Sequence, residues 1–598
     1  MPFFDLLSIL IALYLASLAS SYAITGVPGG VNTITGQRPF RQEFSTFKNS
    51  GPPFDLYILS LQQLQQQNQS ALLSFYQVAG IHGHPYIAWD GVQGGYQAGY
   101  CTHGSILFPS WHRPYMVLYE QLLWNNAQRI AATYPAAQRS TYQAAATSFR
   151  VPYWDWAINA TMPDPVNDPM ITINTPRGTL SMVNPLYNYT FHPHPSATDF
   201  PPTDTIAQYN STLRYPNFAT GESQPSLANA QLQANAEAIQ VLTYQLIADQ
   251  SNYAPFSNSG YTDARGDAYN SLENMHNAIH AFVGGGGHMS IIPYAGFDPI
   301  FWLHHANVDR LLAIWQAIYP NSYTTPEVNA EGTFTIAPGS NDTISSPLTP
   351  FHSDGYGTLY TSTTARYTRY FGYTYPEVVD WGVNATQLSS NVRTALNNLY
   401  NPTGSISTRS VPHKYKRHSN ITGPYPHPNA TTSKSSTGEY QYFVNIRVDR
   451  SALHRPFFIH FFLGPVPPNP ITWSHAPTLI ASHSILYYPI ATNTTTTTSP
   501  TYGQLPLNHA LARLKPSPPD TAPPTVEEVL KNELSWRVQD FESRHVETGG
   551  VRGLKIFVVG REVLQRAGGD RFAVYGGWGV LRGATEGKVG GVGEGEGM

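Results

Sequence analysis

In "LENMHNAIH", His276 and His280 stand four residues apart and fall on one face of any helix that carries them. Their imidazoles then sit one turn apart and can share a metal ion. No glutamate follows His276, so this is not the HExxH of a zinc protease. Downstream, "DPIFWLHHANVDR" sets His304 beside His305. Neighbouring helical residues point about 100° apart, so one of the pair can face the metal while the other packs or points outward. A second group lies upstream: His82 in "GIHGHPY", with His84 close by, then His103 and His112 in "YCTHGSILFPSWHRP". Imidazole ligation without carboxylates suits copper, zinc or iron rather than calcium or magnesium. Two open three-nitrogen sites facing each other could hold dioxygen between them. The single cysteine, Cys101, precedes His103 by two residues.

Helices must position these side chains. Apolar spacing predicts helices over Phe54–Val78, with His82 just past its end, and over Tyr115–Ala132, with Pro114 in its first turn and His112 at its start. Ser226–Ala248, "YNSLENMHNAIHAFV" and "DPIFWLHHANVDRLLAIWQAIY" read as further helices, and the intervening "GGGGHMSIIPYAG" as a flexible loop. Residues 24–400 therefore form a mainly α domain with long loops. Residues 401–437 are rich in Pro, Ser, Thr and basic side chains, a linker signature. A β-rich domain follows over 438–565, starting with the alternating strand "EYQYFVNIRV" and with "RPFFIHFFLG" as its hairpin partner. Residues 492–503 read as a loop inside it, and the Gly-rich tail 566–598 as disordered.

Composition bounds the function. Of 598 residues, 41% are hydrophobic and 12% charged, and the net charge is −4, a globular balance with no basic footprint for nucleic acid. Residues 1–23 read as a signal peptide, with an apolar run from Leu6 to Ala19 and Ser21-Tyr22-Ala23 as the cleavage pattern. No other stretch could cross a membrane. Nine Asn-x-Ser/Thr triplets add to the expectation of a secreted glycoprotein. One cysteine leaves no internal disulfide, so stability must come from core, glycans or metal.

The ordered motifs "GIHGHPYIAWDG", "YCTHGSILFPSWHRPYMVLYEQ", "VPYWDW", "LENMHNAIH", "GGGGHMS" and "DPIFWLHHANVDR" resemble those of the fungal tyrosinases, which are type-3 copper proteins. The resemblance implies a helical-bundle dicopper catalytic domain under a β-rich C-terminal lid domain. It implies one copper on His82, His103 and His112 and a second on His276, His280 and His305. His305 is selected over His304 because the family's ligand lies four residues after the Phe of DPxF. That residue, Phe301, would pack against the site. Cys101 would be joined by a thioether to His103. Glu273 and Asn277 would hold the water that takes the phenol proton, and Met289 and Ser290 would line the substrate entrance. The implied chemistry uses O₂ to hydroxylate monophenols and to oxidise o-diphenols to o-quinones, feeding melanin-type pigment. A latent form is also implied, with Tyr487 or Tyr488 plugging the site and a processing protease cutting near Lys416-Arg417. A catechol oxidase lacking monophenolase activity and a haemocyanin-like dioxygen carrier are the alternatives.

Overall fold

The computed structural model describes residues 20–261, 269–401, 438–487, 499–514 and 521–593. Lys416, Arg417 and Tyr488, the linker and most of the expected signal peptide lie outside them.

The first helical stretch breaks in two, α1 (Pro52–Gln65) and α2 (Phe75–Gly80). The Gln-rich middle offers no continuous apolar face, and Leu72, inside the expected helix, is exposed. Ser74 caps α2 by accepting from the Gln77 N–H. The next helix, α3 (Phe108–Ala132), begins seven residues earlier than expected. The proline of its first turn is Pro109, whose missing N–H costs nothing there; Pro114 lies inside the helix. After α4 (Ala136–Thr147), the Ser226–Ala248 stretch divides at Asn235 into α5 (Pro225–Ala234) and α6 (Ala236–Asp249). Next come α7 (Leu272–Gly284), α8 (Ile300–Ile318) and α9 (Ala385–Tyr400). Helices α3, α7 and α8 pack on one another, with α1 and α4 behind α3. Every residue of α8 is buried, so it is a central rod with no solvent side. No helix among the described residues is long and apolar enough to cross a membrane.

The C-terminal region carries two antiparallel sheets. Its strands are β1 (Tyr440–Asp449), β2 (Phe457–Leu463), β3 (Leu479–Ile485), β4 (Pro500–Pro506), β5 (Leu534–Asp540), β6 (His545–Val546), β7 (Lys555–Gln565), β8 (Val574–Tyr575) and β9 (Gly579–Leu581). One sheet runs β4-β1-β7-β8 with β9 also on β7, and the other β6-β5-β2-β3. The expected β1–β2 hairpin does not form. β1 pairs with β4 and β7, while β2 pairs with β5 and β3, Phe461 facing Trp536 and Ala481. Both faces of β2 are buried, so its unbroken apolar run marks a central strand of the other sheet. Of the expected 492–503 loop, residues 500–503 belong to β4 and 492–498 lie outside the described residues. The Gly-rich tail also departs from expectation: β9 pairs with β7, Ile556 exchanges hydrogen bonds with Gly590 and Val592, and Val592 is buried.

The sheets lie against α6 and α7. Phe458 of β2 stacks on Phe282 of α7 at 6.2 Å, Asn274 donates to the Tyr502 carbonyl at 2.8 Å, and Arg561 pairs with Asp249 at 2.6 Å. The domain that rests on α7 therefore rests on the helix carrying His276 and His280.

Candidate metal centre

Seven histidines converge between α3, α7 and α8. His82 follows α2, His103 sits on the loop before α3, and His112 lies in the second turn of α3. His276 and His280 project from α7, whose first turn is capped by Ser271, and His304 and His305 from α8. None is more than 4% exposed. The rings of His82, His103 and His112 form a near-equilateral triangle, 5.6, 5.8 and 5.8 Å on its sides. Those of His276, His280 and His305 are 4.3, 4.8 and 5.4 Å apart. The triangles face each other, with His112 stacked on His305 at 4.6 Å.

The nitrogen chemistry fits a pair of metal ions. The Nδ1–H of His82 donates to the Ile292 carbonyl at 3.2 Å, that of His112 to Phe108 at 2.7 Å and that of His280 to Met289 at 2.6 Å. A donating Nδ1 leaves the lone pair on Nε2, the tautomer a metal ligand needs. The Nε2 atoms of His82 and His112 are buried with no hydrogen-bond partner. In the other triangle the Nε2 atoms of His276 and His280 each lie 3.2 Å from that of His305. Nitrogens about 2.0–2.1 Å from one tetrahedral ion are spaced about 3.3 Å apart, so a cation between these rings would turn mutual repulsion into shared ligation. Burial pushes His82, His112, His276 and His305 well below the usual imidazole range, and the neighbouring imidazoles push them further. Burial takes His280 down to about 3. These rings are neutral at pH 7 and suit copper as nitrogen donors.

The "GGGGHMSIIPYAG" segment is not a flexible loop. Gly285 closes α7 at φ 50°, in the left-handed region glycine favours. The chain then makes a tight turn at His288–Ser290 and a short helix at Ile292–Ala295. The Ser290 hydroxyl ties the segment by accepting from Gly286 N and donating to the Gly287 carbonyl, both at 2.9 Å. Met289 and Ser290 are fully buried. Through the Met289 and Ile292 carbonyls the segment orients one histidine of each triangle.

His304 packs inside the bundle, one of the two directions expected of it. It neither turns outward nor finds a hydrogen bond: both ring nitrogens are buried without a partner, and the ring lies 5.1 Å from His276 and 4.8 Å from His280. On a helix buried on every side, the neighbour of a ligand has no outward direction to take. Phe301 stacks on His305 at 3.9 Å and meets His82 edge-on at 4.9 Å. His84 stacks instead on Tyr86.

The remaining site residues occupy these positions. Glu273 is fully buried behind His103, accepting from its Nδ1 at 3.3 Å. Burial raises this carboxyl, but the His103 hydrogen bond and the Arg450 charge outweigh it and hold it at about 2. Asn277 Oδ1 accepts from His276 Nδ1 at 2.9 Å. Thus each of the two polar residues expected to hold a water also orients a histidine. Cys101 Sγ lies 3.0 Å from the His82 carbonyl, and its sulfur groups with the ligand nitrogens of His82 and His103 within 4.8 Å. A Cβ on Gly99 would sit 2.0 Å from that carbonyl, so only glycine lets this segment pass. Burial pushes the Cys101 thiol up. Tyr487 is half-buried at the end of β3, and its ring contact among the described residues is with His454 at 6.3 Å.

A buried ionic frame fixes α3 against α8. Arg113, next to His112, donates through Nε to Asp309 Oδ1 at 2.6 Å. Asp309 Oδ2 accepts from Arg41 at 3.1 Å, Tyr373 at 2.6 Å and Tyr375 at 2.7 Å. Arg41 also pairs with Glu120 of α3 at 2.9 Å. Burial raises Asp309, but the Arg113 and Arg41 charges overcome it and lower its pKa. The arginine of "HRP" and the last aspartate of "DPIFWLHHANVD" were thus a sequence signal for this frame, as was "FGYTYPE".

Comparison with known proteins agrees with this geometry. Residues 72–318 match the common central domain of tyrosinase, and residues 441–558 the tyrosinase C-terminal domain. A tyrosinase of Podospora anserina is 35% identical over 76% of this chain and 88% of its own length. One of Neurospora crassa is 39% identical over 63% of this chain and 58% of its own. Among solved structures, a crystal of latent and active mushroom tyrosinase superposes with a TM-score of 0.78 at 28% identity, covering 92% of this chain and 96% of that one.

Proposed function

The chain belongs to the tyrosinase family of enzymes, and on that premise we propose that it is a secreted, latent, copper-dependent oxidase of phenols. His82, His103 and His112 would hold one copper and His276, His280 and His305 the other. Copper bound there supplies the redox chemistry with O₂, converting a monophenol and O₂ to an o-quinone and water, or oxidising an o-diphenol to the o-quinone.

The protein's own residues do the rest. The carbonyls of Ile292, Phe108 and Met289 fix three ligand tautomers and ring orientations. Phe301 and the buried walls exclude water. A phenol must lose its proton before its oxygen can bind a metal, and Glu273, ionised and one hydrogen bond from His103, is the acceptor, with Asn277 aligning the water between them. Small phenols are the substrates, and quinones that polymerise to melanin-type pigment are the products. The C-terminal domain on α7 covers the site until a protease cuts the 401–437 linker, near Lys416-Arg417.

The observation that carries this reading is the arrangement of two facing imidazole triangles, with the Nδ1–H groups of His82, His112 and His280 engaged by backbone carbonyls so that their Nε2 atoms are left as ligands. The test is metal analysis of the full chain, then tyrosine and o-diphenol oxidation before and after limited proteolysis. Two coppers per chain and a proteolysis-dependent gain on both substrates are expected. Oxidation of diphenols alone after cleavage would make it a catechol oxidase. Reversible O₂ binding without oxidation would make it a carrier.

A further inference from the structure

One of the charged side chains that the C-terminal domain sets against the catalytic domain reaches toward the metal centre. Arg450, just past β1, is buried. Its Nη1 donates to Glu331 Oε1 at 2.6 Å and its Nη2 to Ser259 Oγ at 2.9 Å. Ser499, also of the C-terminal domain, donates to the same Glu331 oxygen at 2.9 Å.

Ser259 carries the contact to the metal centre. Its hydroxyl accepts from Arg450, so its own hydrogen is directed to Glu273 Oε2, 3.0 Å away, and its N–H reaches the same oxygen at 2.8 Å. The other oxygen, Oε1, accepts from His103 Nδ1 at 3.3 Å, and Gly104 N is shared between Oε1 at 2.9 Å and Oε2 at 3.1 Å. A carboxylate offers about four lone-pair positions, and four donors meet them. In the covered form Glu273 has no position left for a proton-bearing water.

We propose that Arg450 is the positioning residue through which the C-terminal domain silences the site: by holding the Ser259 hydroxyl on Glu273, it fills the acceptor position that the substrate's proton would use. The proposal rests on the reading of Glu273 as proton acceptor and gives the regulation of that site a residue. When the domain leaves, Arg450 leaves with it. The Ser259 hydroxyl is then free to rotate, and Glu273 regains an open position. Arg450 also resists undocking, because withdrawing one partner of a buried ion pair leaves the other uncompensated.

The test uses full-length, copper-loaded, uncut protein. Arg450→Ala is expected to raise monophenol oxidation at least about tenfold, part of the roughly 10²–10⁴ that positioned proton transfer contributes, with a smaller rise on o-diphenols. Millimolar guanidinium should return it toward silence, and Arg450→Lys should fall between. Amide exchange at Gly104 and Ser259 should quicken while β2 and β5 stay protected. Unchanged exchange at Gly104 and Ser259 in Arg450→Ala overturns the proposal whatever the activity. An equal rise on both substrates, with exchange quickened throughout β2 and β5, also overturns it and makes Arg450 a plain anchor. Failure of the cleaved wild-type chain to oxidise any phenol would instead refute the reading of the site.

Discussion

Replacing Asp309 by Asn removes one negative charge from the frame behind the metal centre while keeping its shape. The four donors on Asp309 fare differently. Tyr373 and Tyr375 keep a neutral acceptor, and Arg41 retains Glu120 through two hydrogen bonds, 2.9 and 3.2 Å. Arg113 loses its anion. Its remaining named partners are neutral: Gln316 Oε1 at 3.0 Å, the Ala365 carbonyl at 3.4 Å and the Arg366 carbonyl. Arg113 is fully buried, and it cannot escape by losing its proton, because a guanidinium stays protonated in proteins even without a partner anion. Removing one partner of such a pair costs about 3–5 kcal/mol. Urea unfolding of the full chain followed by tryptophan fluorescence should show that loss with an unchanged denaturant slope. Copper should also reach a chelator faster, since α3 carries His112 and α8 carries His305. The double variant Arg113→Met with Asp309→Leu should recover most of the stability, because apolar residues can replace a buried pair at little cost. A loss below about 1 kcal/mol for Asp309→Asn, the range of an exposed pair, would refute the idea that this frame holds the two helices.

Three further outcomes are expected. Copper-loaded protein should have no titratable Cys101 thiol and should yield a crosslinked 101–103 peptide lighter by the two hydrogens lost; a free thiol would sink the thioether. Glu273→Gln should cut monophenol oxidation by the cleaved enzyme about 100-fold while changing diphenol oxidation far less, and parallel losses would show that Glu273 serves only to orient His103. His280 is held near 3 in the folded apo-protein against 6.5 in the open chain, so the unfolded state binds the extra proton. Its stabilising contribution is complete above pH 6.5 and falls as pH drops toward 3, by about 2 kcal/mol at pH 5. Urea midpoints of metal-free protein that do not drop between pH 7 and pH 5 would contradict this.

The histidine spacing was legible because a four-residue step and a helix terminus leave imidazoles few directions. The orienting groups were not. The Ile292 and Met289 carbonyls belong to a Gly-rich segment whose composition signals mobility, and only tertiary packing makes it a fixed platform. For His304 the helix pattern left packing and an outward turn both open, and only the solvent-free surroundings of α8 decide for packing. Pro114 drew the start of α3 too late because Pro109 performs the first-turn role. β1 and β2 looked like a hairpin because adjacency in sequence is the best guide to pairing until a second sheet intervenes. Arg450, Ser259 and Glu331 carry no motif; their meeting depends on how two domains dock.

The closing of the second domain by its last strands has a consequence for timing. β7 finds β9 and the Gly590–Val592 segment only when residues 579–592 have been made. Every histidine of the centre lies before residue 306. At about 5–20 residues per second, synthesis of the roughly 190 residues from the end of α9 to Val592 occupies about 10–40 s. For that interval the nascent chain has all seven histidines of the centre but an unfinished second domain. On the function proposed, copper delivered during synthesis would meet an open centre, and copper delivered afterwards a covered one.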